Sequence, residues 1–193
     1  MLLFLKDQFY RLSNYLPKFK LLPVIPYNIS VLKEKSTVVS IPCNKQLKEL
    51  SFNFLFDYNI FPDNILTYCA EWQYSKRIMQ VGDTIVQQIY FPPVKTLSQK
   101  IIVGVRVKEI FKQDDLIGFS YETLKGHIEK GVSSFQVSKT NGSINFTVHT
   151  YSKANNILLD LLSPLFSSPY QDYCTSKALQ RMTQLFKKEN HTA

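Results

Sequence analysis

Glycine is scarce in this chain, with 6 among 193 residues, and no G-x-G-x-x-G, G-K-[ST] or G-x-S-x-G run occurs. That excludes a phosphate-cradling loop and a nucleophile elbow, and with them nucleotide hydrolysis, dinucleotide binding and serine hydrolysis of the usual kind. Three cysteines, Cys43, Cys69 and Cys174, stand far apart without a C-x-x-C pair. They form neither a zinc site nor a disulfide framework, and read as reduced, partly buried thiols of a cytoplasmic protein. Three histidines, His127, His149 and His191, have no ligand spacing, so no metal site is expected, and no cofactor is implied. No apolar run approaches the ~20 residues needed to cross a bilayer. The opening Met1-Leu2-Leu3-Phe4-Leu5 breaks at Lys6 and Asp7, too early for a signal peptide. Blocks of one charge sign are missing too. The formal net charge of +8 is scattered, which reads first as a solubilising surface and disfavours nucleic acid as a partner. No feature specifies an oligomeric state.

Aromatic residues, by contrast, are plentiful: 14 Phe and 11 Tyr, within a composition that is 45% hydrophobic and 20% charged. This is a folded chain able to bury a sizeable core. Leu5, Phe9, Leu12, Leu16 and Phe19 recur at helical spacing, predicting an amphipathic helix that stops near Pro17, followed by an extended connector through Pro23 and Pro26. Residues 1–30 therefore read as an appended segment, whose helix either docks on the body or lies on a membrane surface. Residues 31–193 read as the main domain. Within it, Thr37–Ile41 predicts a strand and Asn44 a cap for a helix carrying Leu47, Leu50 and Phe54 on one face. Leu66–Trp72, Asp83–Phe91 and Lys100–Phe111 predict further strands. In the last of these Ile101, Val103, Val105 and Val107 alternate with Arg106 and Lys108, which are expected to meet solvent.

Three alternating segments follow, Ile117–Leu124, Val132–Lys139 and Ser143–Tyr151, the last two joined by Thr140-Asn141-Gly142, a strong hairpin signal. Short links of this kind specify an antiparallel meander. The final third is helical: Leu158, Leu161, Leu162, Leu165 and Phe166 make one apolar stripe, Ser168-Pro169-Tyr170-Gln171 has the form of a helix start, and Tyr173, Cys174, Ala178, Met182, Leu185 and Phe186 continue an apolar face. The predicted architecture is α+β, a curved antiparallel sheet gripping a long C-terminal helix, with a cavity between them.

Chemistry concentrates in one corner. Phe119, Tyr121 and Thr123 share a strand face, and two hydroxyls on an apolar surface suit a ligand site with few placed polar groups. His127 stands in the turn with Glu129 two residues on. A carboxylate beside an imidazole raises its pKa and fixes its tautomer, an arrangement suited to acid-base work or to locking the turn. Trp72, the single tryptophan, reads as core.

The run Gly118-Phe119-Ser120-Tyr121-Glu122-Thr123-Leu124-Lys125-Gly126-His127, with Glu129 and Phe135, resembles the signature of the uncharacterised domain-of-unknown-function family number nineteen-ninety. Val81-Gly82-Asp83-Thr84 is similar to its strand entry and Tyr151-Ser152-Lys153 to its junction with the last helix, although Ala154 stands where that family commonly has proline. The similarity spans residues 36–186. It implies a helix-grip fold of the START and Bet v 1 kind and no established activity. The expected function is non-catalytic binding of a small, largely apolar ligand by Phe119, Tyr121, Thr123, His127 and Phe135. The alternatives are an acid-base enzyme, of cyclase, hydratase or isomerase type, using Tyr121, His127 and Glu129, or a module that meets an anionic membrane or nucleic acid.

Overall fold

Alternating apolar and polar residues fold here into one antiparallel sheet with helices on both sides; the structure, a computed structural model, describes residues 1–140, 142–155 and 168–190. The strands are β1 (Leu2–Phe4), β2 (Lys33–Pro42), β3 (Leu66–Ala70), β4 (Thr84–Phe91), β5 (Gln99–Lys112), β6 (Leu116–Thr123), β7 (Glu129–Thr140) and β8 (Ser143–Ala154). Their order is β2-β8-β7-β6-β5-β4-β3, so β3 to β8 form the predicted meander and β2 adds beside β8. β5 is long enough to serve two partners on one edge: β6 pairs with it from Val105 onward, and β1 pairs with its start through Leu2↔Ile102 and Phe4↔Lys100. A bulge between Val107 and Glu109 adds local bend and twist.

Among the described residues four α-helices, α1 (Leu12–Lys20), α2 (Asn53–Phe56), α3 (Glu71–Tyr74) and α4 (Ser168–Asn190), cover the sheet. On one face α1 buries Leu12, Leu16 and Phe19 against Val86 and Ile102. Gly104 makes this approach feasible, because a Cβ there would stand 2.4 Å from the Phe19 ring. On the other face Leu179, Met182 and Phe186 of α4 share one core with Val105, Phe119, Phe135 and Phe146, and the Phe186 and Phe146 rings meet at 5.4 Å. Glu189 near the end of α4 accepts from the backbone N–H groups of Asn53 and Phe54, both at 3.0 Å, and so caps α2 while tying it to the helix.

Several expectations need correction. The first helix begins at Leu12 and not at Leu5: residues 2–4 are drawn into the sheet as β1, Phe9 stands exposed, and Pro17 lies inside α1, which runs on to Lys20. The helix placed after Asn44 is two short pieces, a 3-10 turn at Leu47–Glu49 started by Gln46, and α2. The strand drawn to Trp72 ends at Ala70, and Trp72 lies in α3, buried in the core as expected. Arg106 does not point freely into water; it donates to the Lys20 carbonyl at 2.8 Å, closing the C-terminus of α1. Tyr173 is exposed, while Leu179 takes the buried place on α4. Thr140 pairs with Ser143 and Gly142 has φ 74°, as a two-residue hairpin requires, whereas Asn141 lies outside the described residues. So do the stripe Leu158 to Phe166 and His191, as do the side chains of Ser168 and Pro169. Among the described residues no helix is long and apolar enough to cross a membrane.

Candidate functional site

Strand register, more than any one motif, builds the site. Phe119, Phe135 and Val148 lie directly opposite one another on β6, β7 and β8, and the two rings stack at 5.4 Å. One step along, Tyr121 faces Ser133, Ser133 faces Thr150, and Thr150 faces Lys35 of β2. A row of four polar side chains therefore runs across the sheet beside an apolar one. Between the polar row and α4 lies a chamber of about 160 Å³, with mainly apolar walls.

Of the residues singled out from the sequence, Tyr121, His127, Glu129 and Phe135 line this chamber. Phe119 and Thr123 do not line it. Phe119 is fully buried behind Phe135, part of the packed core rather than the wall. Thr123 is turned into the sheet margin, where its Oγ1 accepts from the Gly131 N–H at 3.1 Å. Gly131 is required there: its φ is 147°, and a Cβ would stand 1.9 Å from the Tyr151 carbonyl oxygen.

Tyr121 belongs to a hydrogen-bonded group with Tyr58, Ser133 and Gln87, and Gln87 donates to the Tyr58 hydroxyl at 2.6 Å. Burial pushes the Tyr121 hydroxyl above its ordinary pKa, so it stays protonated at neutral pH.

The relation expected between His127 and Glu129 is absent, because the imidazole meets the Glu129 backbone instead of its carboxylate. Nδ1 lies 3.0 Å from the Glu129 backbone N–H and 3.0 Å from the Glu129 carbonyl oxygen, accepting from the first in one tautomer and donating to the second in the other, and so closes the turn. Burial drives the His127 pKa down to about 4, and the nearby chain amino group pushes the same way. The neutral imidazole is thus a polar member of the chamber wall and not a proton carrier poised near pH 7. The Glu129 carboxyl is pushed up by burial, and the amide of Gln171 on α4 donates to it and opposes that shift.

Sequence reasoning missed the wall supplied by α4. Tyr170 donates to the Tyr90 carbonyl at 3.0 Å, and Cys174 sits one helical turn on, its thiol pushed up to about 11, mainly by burial. A thiol so placed is inert packing rather than a nucleophile. Tyr170 and Gln171 were legible only as part of a helix start, and Cys174 only as a member of the apolar face that follows it. Gln87 carried a usable signal, as one of two adjacent amides in a largely apolar strand run. At the mouth Lys35 pairs with Asp172 of α4, joining β2 to the helix. Elsewhere His149 bonds Glu34 at 2.9 Å, and Cys43, Cys69 and Cys174 are free and half-buried. Among the described residues no three His, Cys, Asp or Glu side chains gather as metal ligands would.

Comparison with known proteins agrees with this geometry at the level of fold. The sequence model of a family described as domain of unknown function (DUF1990) matches residues 51–182, more than half of the chain. No curated protein matches. Among solved structures, the hypothetical protein jhp0584 from Helicobacter pylori is similar at 11% identity, over 80% of this chain and 88% of that one, with a TM-score of 0.55. Protein CV1439 from Chromobacterium violaceum matches at 11% identity over 79% and 98%, with a TM-score of 0.47. The first of these shares the arrangement of sheet and helix; at such identity the likeness is one of fold alone.

Proposed function

The chain belongs to the DUF1990 family of unknown function, and from that premise we propose that it is a non-catalytic binding protein of the helix-grip, START and Bet v 1-like kind. Residues 31–193 form the binding domain, residues 1–30 are accessory to it, and the ligand is small and largely apolar. Three unpaired thiols suit a cytoplasmic setting.

The supporting observation is the chamber itself: about 160 Å³, lined by apolar side chains such as Phe135, Ile89 and Val148, with polar groups from the Tyr121 row, the His127 corner and the α4 wall. An apolar cavity of roughly 150 Å³ accepts a benzene-sized molecule. The ligand is therefore a single ring or a short branched chain, with a hydrogen-bonding group toward Tyr121 and Ser133, and a long lipid tail is too large. Tyr121 protonated, His127 neutral and Cys174 protonated together supply donors and packing, as binding requires.

A second reading has one observation in its favour. Tyr121, His127 and Glu129 open into the same chamber, and a carboxyl raised by burial is the usual general acid. On that reading Glu129 carries the proton, and Glu129→Gln would cost about 100-fold or more in turnover.

The test is thermal unfolding against a panel of one-ring and short-chain compounds with one polar group. A ligand at 100 times its Kd stabilises by about 2.7 kcal/mol, or roughly 5–11 °C in Tm for a chain this long. A Cys174→Phe variant, which fills the chamber, removes the shift. If no compound moves Tm and the filled variant unfolds like the parent, the binding proposal fails. A compound consumed on incubation selects the enzyme reading.

A further inference from the structure

The segment ahead of α1 presents apolar side chains that the fold does not use. Tyr10 is 94% exposed, Leu5 80%, Leu3 49% and Phe9 46%. They are not the spare part of the α1 stripe, because Leu12, Leu16 and Phe19 are already buried on the sheet. The loop between β4 and β5 adds Leu97, 79% exposed, and Val94, 45% exposed. The two segments are neighbours. Phe4 pairs with Lys100 at the start of β5, the Tyr90 hydroxyl donates to Asp7 at 2.6 Å, and Lys95 stands 5.6 Å from the Tyr90 ring centroid. Residues 3–10 and 94–97 thus form one end of the molecule.

Charge at this end is mainly positive. Lys6, Arg11 and Lys95 are exposed. Asp7 is the only acid among the first 33 residues, and there is none between Thr84 and Lys108. Its carboxylate is engaged internally, accepting from the Phe9 N–H at 2.8 Å as well as from Gln88 and Tyr90. Large apolar and aromatic side chains at exposed tips, with three exposed cations against one further exposed acid, Asp63, whose neighbour Asn64 donates to the Pro93 carbonyl at 3.2 Å, match the chemistry of an anionic bilayer surface: rings and leucines enter the headgroup boundary while lysine and arginine meet phosphate. A nucleic acid would use the cations and leave the leucines in water.

We infer that Leu5, Phe9, Tyr10 and Leu97, with Lys6, Arg11 and Lys95, form a membrane-docking surface for anionic lipid, independent of whether the chamber holds a ligand. It replaces the expectation that the apolar face of the first helix lies on the membrane. Docking here brings the chamber near the bilayer, since Tyr170 and Ile128 of its wall pack with Phe91 beside the same loop.

Co-sedimentation of the full chain with phosphatidylcholine vesicles, and with vesicles also carrying phosphatidylserine, tests this. Binding is expected to the anionic vesicles and to weaken as salt rises. Lys6→Gln and Arg11→Gln should each weaken it about fivefold. Leu5→Ser combined with Leu97→Ser should weaken it about tenfold or more, with Tm unchanged because both side chains stand clear of the core. Equal binding to neutral and anionic vesicles, or none to either, overturns the inference. So does full binding by the double serine variant. Self-association in lipid-free ultracentrifugation that this variant abolishes would assign the surface to a second copy of the chain, and salt-sensitive RNA binding untouched by it would assign the cations to nucleic acid.

Discussion

Two adjacent residues of β4, Gln87 and Gln88, show how differently the sheet's faces are finished. Gln88 points under the N-terminal segment and is completely buried. Its Oε1 accepts from the Gln8 N–H at 2.7 Å, and its Nε2 lies 2.7 Å from the Tyr90 hydroxyl, 3.0 Å from Thr67 and 3.1 Å from Asp7. Gln87 is almost as buried, but it faces the chamber, where it joins the group around Tyr58 and Tyr121. The first glutamine is saturated by protein and can only hold the fold. The second lines a space with room for another molecule. Buried polar groups need partners. Around Gln88 the chain supplies them, and around Gln87 it leaves places beside them for a guest.

If that contrast is right, Gln88→Leu is the most damaging change, because it strips partners from Gln8, Tyr90 and Asp7 at once. The expected loss is about 4 kcal/mol, measured by urea unfolding. A loss below about 1 kcal/mol would break the comparison. The pH dependence of stability probes the chamber side. His127 has its folded pKa lowered from 6.5 to about 4, so the unfolded chain binds the extra proton first. Its contribution is fully present above pH 6.5 and fades as pH falls toward 4, by about 3 kcal/mol in all. Glu129, raised above its ordinary 4.5, acts in the opposite sense: folding favours its protonated form, and stability declines as pH rises from 4.5 through the folded value. His127→Asn should therefore remove the acid-side loss and expose the Glu129 slope, seen as unfolding midpoints across pH 4 to 7.

Smaller effects sharpen the same contrast. Gly104→Ala presses a methyl against Phe19 on the packed face and should cost about 2 kcal/mol. Cys174→Leu adds bulk on the chamber side and should change stability by less than about 1 kcal/mol, because it grows into free space. Equal costs at the two positions would mean that the chamber does not accept added atoms.

Parts of this were legible in the residues alone. Period-two alternation marked β5 to β8, Asn141-Gly142 marked a hairpin, and the run from Gly118 to Glu129 marked the corner where Tyr121, His127 and Glu129 do converge. Other parts were not, for reasons of geometry. Phe119 and Tyr121 share a strand face, yet opposite neighbours on β7 put one into the core and the other onto a wall. Leu5 and Phe9 fit a helical period, but an open edge of β5 outcompeted the helix for residues 2–4.

Alternation and turn residues suffice to state that a meander of strands forms and where each one bends, since those depend on neighbours within a few positions. Which side chains meet across strands depends on register between segments far apart in the chain. Tertiary structure alone therefore brought Tyr121, Ser133, Thr150 and Lys35 into one row, gave His127 a backbone partner in place of a carboxylate, and left the space between that row and α4 unfilled.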